Sequence, residues 1–153
     1  MTVRPEVAEL LRRCVIARVC TVDPDGSPRA APFWMSFDGE RIYLDTLDNI
    51  TTRNLRRDPR VAVLVDEGCT FADLRGTLVR GVARLWGEQD APEQVRAGIE
   101  ALRTAHAAEV ETPLFDDYIA RETRDVVLVA IEPMHASHWD LAASARGDNG
   151  RIG

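Results

Sequence analysis

A chain of 153 residues, 45% hydrophobic and 29% charged, has the size and balance of one globular domain, and it can bury roughly 70% of its unfolded surface without a disulfide or metal staple. A formal net charge of −6 argues against a nucleic-acid binder, which gains affinity by neutralising phosphates, and against docking on anionic membranes. All nineteen basic residues are Arg, so any phosphate must be held by guanidinium, hydroxyl or backbone N–H groups.

In chain order, Pro5 to Arg13 reads as a short helix: Pro suits a first turn, and Val7, Leu10, Leu11 and Cys14 mark an apolar stripe. Val15 to Val22 is rich in β-branched residues and reads as a strand. Asp23-Pro24-Asp25-Gly26 is a turn, and a second strand follows it. Phe37-Asp38-Gly39-Glu40 predicts a hairpin joining Ala30–Ser36 to Arg41–Thr46, so the first third reads as a three-stranded meander. Pro28 and Pro32 remove ladder donors, which places their strand at an edge or makes it irregular. Thr51 to Arg57 predicts a helix ended by Asp58-Pro59. Val61 to Val65 is a buried strand, Gly68 to Asp73 a loop, and Arg75 to Trp86 a long strand with Thr77, Val79, Gly81, Ala83 and Leu85 as its small, apolar side.

Asp90-Ala91-Pro92-Glu93 has the form of a helix start capped by Asp90, and Val95, Ile99, Leu102 and His106 carry an amphipathic helix to about His106. A second short helix is expected from Thr112-Pro113. Val126 to Ile131 is a last buried strand interrupted by Pro133, and His135 to Asp140 continues that edge. The domain is thus residues 1–141, and residues 142–153, made of Ala, Ser, Gly and charge, read as a disordered tail. Strands joined by hairpins with few helices imply an antiparallel barrel, an α+β class.

The three thiols, Cys14, Cys20 and Cys69, have no CxxC spacing and read as reduced cysteines of a cytoplasmic protein. The start lacks the apolar stretch of a signal peptide, and no apolar run reaches membrane-spanning length. No GxGxxG or GxSxG occurs. His135 and His138, three apart on a strand, face opposite sides, so no metal site is expected. Asp116 and Asp117 are explained by a helix dipole. The cluster Arg53, Arg56, Arg57 and Arg60 has two readings, a grip on an anionic coenzyme or a solvated face with ion pairs to Asp58.

Several stretches together resemble the pyridoxamine-phosphate-oxidase-like superfamily of flavin and deazaflavin oxidoreductases. They are Thr21 to Pro28, Pro32-Phe33-Trp34, Tyr43 to Thr46, Asn54-Leu55-Arg56-Arg57-Asp58-Pro59-Arg60-Val61, Leu74-Arg75-Gly76, Arg80 to Ala83, Ile131-Glu132-Pro133 and Trp139-Asp140. The resemblance covers Val15 to Asp140. The Asn-Leu-Arg-Arg-Asp-Pro stretch looks most like the deazaflavin-dependent reductases.

The resemblance implies a split β-barrel (an FMN-binding split barrel) with peripheral helices, forming a homodimer with cofactor sites built from both subunits. It implies coenzyme F-420, or alternatively FMN, passing hydride to an electron-poor or conjugated small molecule. The site residues it implies are Pro32, Phe33 and Trp34 beside the ring, Thr46, Asn49, Thr51, Thr52 and Arg53 at the phosphate, and Trp139 across the dimer. A helix start suits a phosphate on physical grounds, through unpaired N–H groups and the positive end of the dipole. The chain departs from the family where a Lys usually precedes the matching Asn by three residues: Thr51 stands there, in a loop one residue shorter, and Arg53 is the candidate substitute. No catalytic side chain is assigned. A carrier that binds flavin, F-420 or haem without turnover is the alternative, with His106, His135 and His138 as candidate haem ligands. The substrate-phosphate stretch expected near the end of a true pyridoxamine-phosphate oxidase has no counterpart here.

Overall fold

The computed structural model describes residues 3–109, 126–141 and 143. Helix α1 (Pro5–Arg13) leads into β1 (Ile16–Val22) and β2 (Pro28–Trp34). Then follow β3 (Ser36–Phe37), β4 (Ile42–Leu47), α2 (Ile50–Arg57), β5 (Arg60–Glu67), β6 (Arg75–Gly87), α3 (Glu93–Glu109) and β7 (Val126–Asp140). The seven strands form one antiparallel sheet in the order β2-β1-β5-β6-β7-β4-β3. This curled sheet with helices at its faces is the expected α+β split barrel.

Alternation along the strands divides the sheet into two faces. The inner face carries Ala17 and Val19 of β1, Val61, Val63 and Val65 of β5, Val79 and Ala83 of β6, and Val127, Val129 and Ile131 of β7. Helix α1 closes this core with Val7, Ala8, Leu10 and Leu11, and α2 adds Leu55. A second, smaller core lies outside, where Val95 and Ile99 of α3 pack on Tyr43, Leu128 and Ala130. Polar links moor α3 at the same place. The Ser36 hydroxyl donates to the Gly98 carbonyl (2.9 Å), and Arg103 bridges Asp45 (2.8 Å) and Glu88 (3.0 Å). Burial pushes the Asp45 carboxyl above its usual range even though Arg103 pulls the other way.

The β3–β4 turn forms as expected. Gly39 adopts φ +106°, and Asp38 Oδ1 accepts the N–H groups of Glu40 and Arg41, both at 2.7 Å. Its other oxygen accepts the Tyr43 hydroxyl at 2.6 Å. Burial raises the Asp38 carboxyl, but the Tyr43 hydroxyl and the two turn N–H groups outweigh it and hold the group below its usual value. Burial, with the Asp38 charge, pushes Tyr43 up to about 12.

Three expectations are corrected. The meander breaks at Met35: this side chain is buried, its N–H bonds to the Val15 carbonyl (2.8 Å), and the chain turns there, so β4 pairs with β7 instead of β2. Pro133 does not interrupt the last strand. Gly81 pairs with Pro133 and Arg80 with His135, leaving Met134 as the extra residue of a β-bulge that absorbs the missing N–H. A side chain at Gly81 would start 2.3 Å from the Glu132 carbonyl oxygen, so glycine permits that close pairing. Finally, Asp90 closes a 3-10 turn (Glu88–Asp90), and α3 runs from Glu93 to Glu109, past His106. The helix expected from Thr112 lies outside the described residues, as does the tail apart from Ala143.

Candidate functional site

The candidate site takes in the split between β2 and β4 and the outer face beside it. β2 pairs only with β1, so its other edge carries no ladder, as Pro28 and Pro32 predict. β2 and β4 approach each other without pairing. Phe33 stands opposite Ala17 and packs on the inner core, whereas Pro32 and Trp34 stand opposite Arg18 and Ile16 on the outer face. Trp34 rests against α3: its ring lies 4.7 Å from that of His106, with the planes inclined by 31°. Sequence patterning put His106 on the apolar stripe of a helix, but only the packing of α3 brings it to Trp34.

Trp139 also lies on the outer face, opposite Gly76, so close that a Cβ there would sit 2.4 Å from the indole. Strands β1, β5 and β6 separate it from β2, roughly 19 Å at the usual strand spacing. One chain therefore does not bring Trp34 and Trp139 together along the sheet.

The turn from β4 into α2 gathers the remaining candidates. Asn49 caps the helix: its Oδ1 accepts the N–H groups of Thr51 (2.9 Å) and Thr52 (3.2 Å), and its Nδ2 donates to the Thr46 hydroxyl (2.9 Å). The Thr52 hydroxyl accepts the Asn49 N–H (2.9 Å) and lies 3.1 Å from an Asp48 carboxylate oxygen. Thr46, Thr51 and Thr52 are all buried. Arg53 is mostly exposed, with Nε 3.8 Å from Asp48, and Arg56 pairs with the same carboxylate. The Arg56 guanidinium, then the Thr52 hydroxyl, holds Asp48 below its usual pKa. The structure thus draws Thr46, Asn49, Thr51 and Thr52 into one network, leaves Arg53 at its rim, and adds Asp48, which sequence reasoning missed. An acid just before a helix N-cap, where the dipole favours negative charge, was the available signal.

The rest of the Arg cluster follows its structural reading. Arg57 donates to the Val22 carbonyl and to Asn54 Oδ1 (3.3 Å), and Arg60 pairs with Asp58 (2.6 Å). Asn54 ties α2 to β1 by donating to Asp23 (2.7 Å) and Thr21 (3.2 Å). His135 pairs with Arg80 and His138 with Thr77, so the two imidazoles take opposite faces. Among the described residues no His, Cys, Asp or Glu cluster has metal-binding geometry.

Beyond the reach of α3, the outer face of β1, β5, β6 and the far half of β7 is only half-covered and mixes apolar side chains with the exposed Arg18, Arg60 and Arg80. Cys20, Val22, Ala62, Leu64, Leu78 and Val82 are half-buried there. Ile16 is 48% and Met134 65% exposed. A cavity of about 570 Å³ opens on this surface, with Arg80 and His135 among its lining residues.

The family model for pyridoxamine 5'-phosphate oxidase matches residues 3–140. Among solved structures, the conserved hypothetical protein Rv2991 from Mycobacterium tuberculosis is 26% identical, with 95% of this chain and 89% of that chain covered at a TM-score of 0.75. An F-420 reductase is 23% identical, with 88% and 98% covered at a TM-score of 0.66. A FAD-binding protein from Mesorhizobium loti is 19% identical, with 87% and 89% covered at 0.66. These last two likenesses establish the fold. No curated protein matches the chain.

Proposed function

This chain belongs to the pyridoxamine 5'-phosphate oxidase family, and from that premise we propose that it is a homodimeric oxidoreductase holding a flavin-type cofactor, coenzyme F-420 or FMN, beside the free edge of β2. The observation that carries the reading is the bare outer face. This sheet surface holds half-buried Leu64, Leu78 and Val82 and an exposed Met134 among Arg18, Arg60 and Arg80, and apolar residues with arginine are the make-up of a subunit interface. A second copy seated on it covers that patch. In the proposed dimer Trp139 is assigned to the partner subunit's side of the site, because the strand order keeps it away from Pro32 and Trp34 along one sheet.

The free edge of β2, with Pro32 and Trp34 on the outer face, suits a flat ring. The α2 turn fits a phosphate poorly, because Asn49 holds the Thr51 and Thr52 N–H groups and Asp48 pairs with Arg56. When bound, the cofactor supplies the hydride, and a small electron-poor or conjugated acceptor receives it. The protein's part is to position the ring on the β2 edge, with Trp34 fixed by His106, and to exclude water through the dimer contact. No helix of the described residues is long and apolar enough to cross a membrane, and three free thiols suit a reducing compartment, so cytoplasmic residence completes the proposal. The engaged α2 turn also favours a second reading, a carrier that binds the cofactor without turnover; reduction of an acceptor dye by a recycled cofactor separates the two.

The test is a fluorescence titration of cofactor-free protein with F-420 and, separately, FMN, alongside light scattering. Saturable micromolar binding of one coenzyme by a dimer is the expected result. Binding of neither would end the cofactor reading, and a strict monomer at micromolar concentration would end the shared site.

A further inference from the structure

We propose that the first turn of α2 is closed to phosphate in this chain, Asp48 and Asn49 filling it from within, so that the protein binds its flavin through the ring and does not distinguish a cofactor from its phosphate-free core. This rests on the cofactor reading above, and it concerns the one place where residues and expected ligand disagree. A phosphate at a helix start needs open N–H groups, free hydroxyls and a cation. Here most of them are committed; the Ile50 N–H, the Thr51 hydroxyl and the Arg53 guanidinium at the rim are what remains, and Asp48 stands beside them. The N–H groups of Thr51 and Thr52 end on Asn49 Oδ1, and that of Arg53 on the Asn49 carbonyl (3.0 Å). The Thr46 and Thr52 hydroxyls are bonded to Asn49, and Thr52 also to Asp48. Thr51, at the position where the resembling family usually carries Lys, is 3% exposed and brings no charge.

Asp48 completes the closure. Its carboxylate stands at the positive end of α2 with Arg56 paired to it and Arg53 3.8 Å away, in the electrostatic place of a phosphate. A phosphate arriving there meets a like charge, with Arg56 already paired to Asp48 and Arg53 facing the same carboxylate. Arg57 and Arg60 offer no reserve, since Arg57 is held by the Val22 carbonyl and Asn54 and Arg60 by Asp58. Opening the turn would require Asn49 to swing away and leave two N–H groups without an acceptor.

The experiment compares each coenzyme with its phosphate-free core, riboflavin against FMN and the deazaflavin core against F-420, in wild type and Asp48→Asn. Wild type is expected to bind core and coenzyme within about threefold of one another, while Asp48→Asn tightens the phosphorylated form about tenfold and leaves the core unchanged. A wild type that prefers the phosphorylated form tenfold or more, at roughly the discrimination one charge-assisted contact gives, overturns the proposal. A second arm needs no flavin. The wild-type melting temperature is expected to be flat in inorganic phosphate, and that of Asp48→Asn to rise saturably. A saturable wild-type rise abolished by Arg53→Ala/Arg56→Ala would refute the closed turn, and no rise in Asp48→Asn would refute the role given to Asp48. Failure of every flavin to bind, with the phosphate arm as expected, would remove the cofactor reading and leave the closed turn standing.

Discussion

The outer face of the sheet is handled in two ways. Over β4 and the adjoining half of β7 it is sealed by α3, whose Val95 and Ile99 are buried against Tyr43, Leu128 and Ala130 and whose Arg103 reaches Asp45 and Glu88. Over β1, β5, β6 and the far half of β7, apolar side chains such as Leu64, Leu78 and Val82 stay half-covered among the exposed Arg18, Arg60 and Arg80. One sheet therefore carries an internal seal and a surface suited to a partner. The difference comes from where the helix lies and from the arginines that the open half carries among its apolar residues.

That contrast is open to experiment, and the largest effect belongs to the sealed half. Ile99→Ala removes a fully buried side chain and is expected to cost about 2–5 kcal/mol, read as a lower urea midpoint with an unchanged slope. A cost under half a kcal/mol would mean that α3 lies loosely and the two halves are alike. On the open half, Leu78→Asp is expected to raise the dimer dissociation constant about a hundredfold by sedimentation, while changing monomer stability by less than about 1 kcal/mol. If it unfolds the chain instead, this face is core and the distinction fails.

The smallest effect sharpens the edge of the sealed half, where Asp38 receives the Tyr43 hydroxyl. Because its folded pKa lies below the ordinary 3.8, the Asp38 charge contributes stability above that value and loses it as the pH falls through the folded pKa. Asp38→Asn should therefore be less stable than wild type by about 1 kcal/mol at pH 7, and the gap should close on acidification below 3.8. A gap of constant size from pH 7 to pH 2 would assign the loss to turn geometry and not to charge.

Much of the fold was legible because it is local. The stripe Val7, Leu10, Leu11 and the placement of Pro5 give α1 its observed bounds, and Asp58-Pro59 stops α2 after Arg57 because the residue before Pro avoids helical backbone. The alternation of β6 carries Thr77, Val79, Gly81 and Ala83 to the buried side as read. At the site, the two prolines of β2 announced an edge strand, and Asn49 with Thr51 and Thr52 announced a helix start.

The amino-acid sequence by itself determined which segments are strands and helices, which side of each is apolar, and which family the chain belongs to, since period, turn chemistry and motif order are properties of neighbouring residues. Only the tertiary structure decided that β4 leaves β2 for β7, that Pro133 is carried in a bulge opposite Gly81, that α3 covers half of one face and rests on Trp34, and that Asp48 turns back onto Arg56. The reason is physical: a strand's own pattern says which face it buries but not which strand completes its hydrogen bonds, and a carboxylate's partner is chosen by what the fold brings within reach.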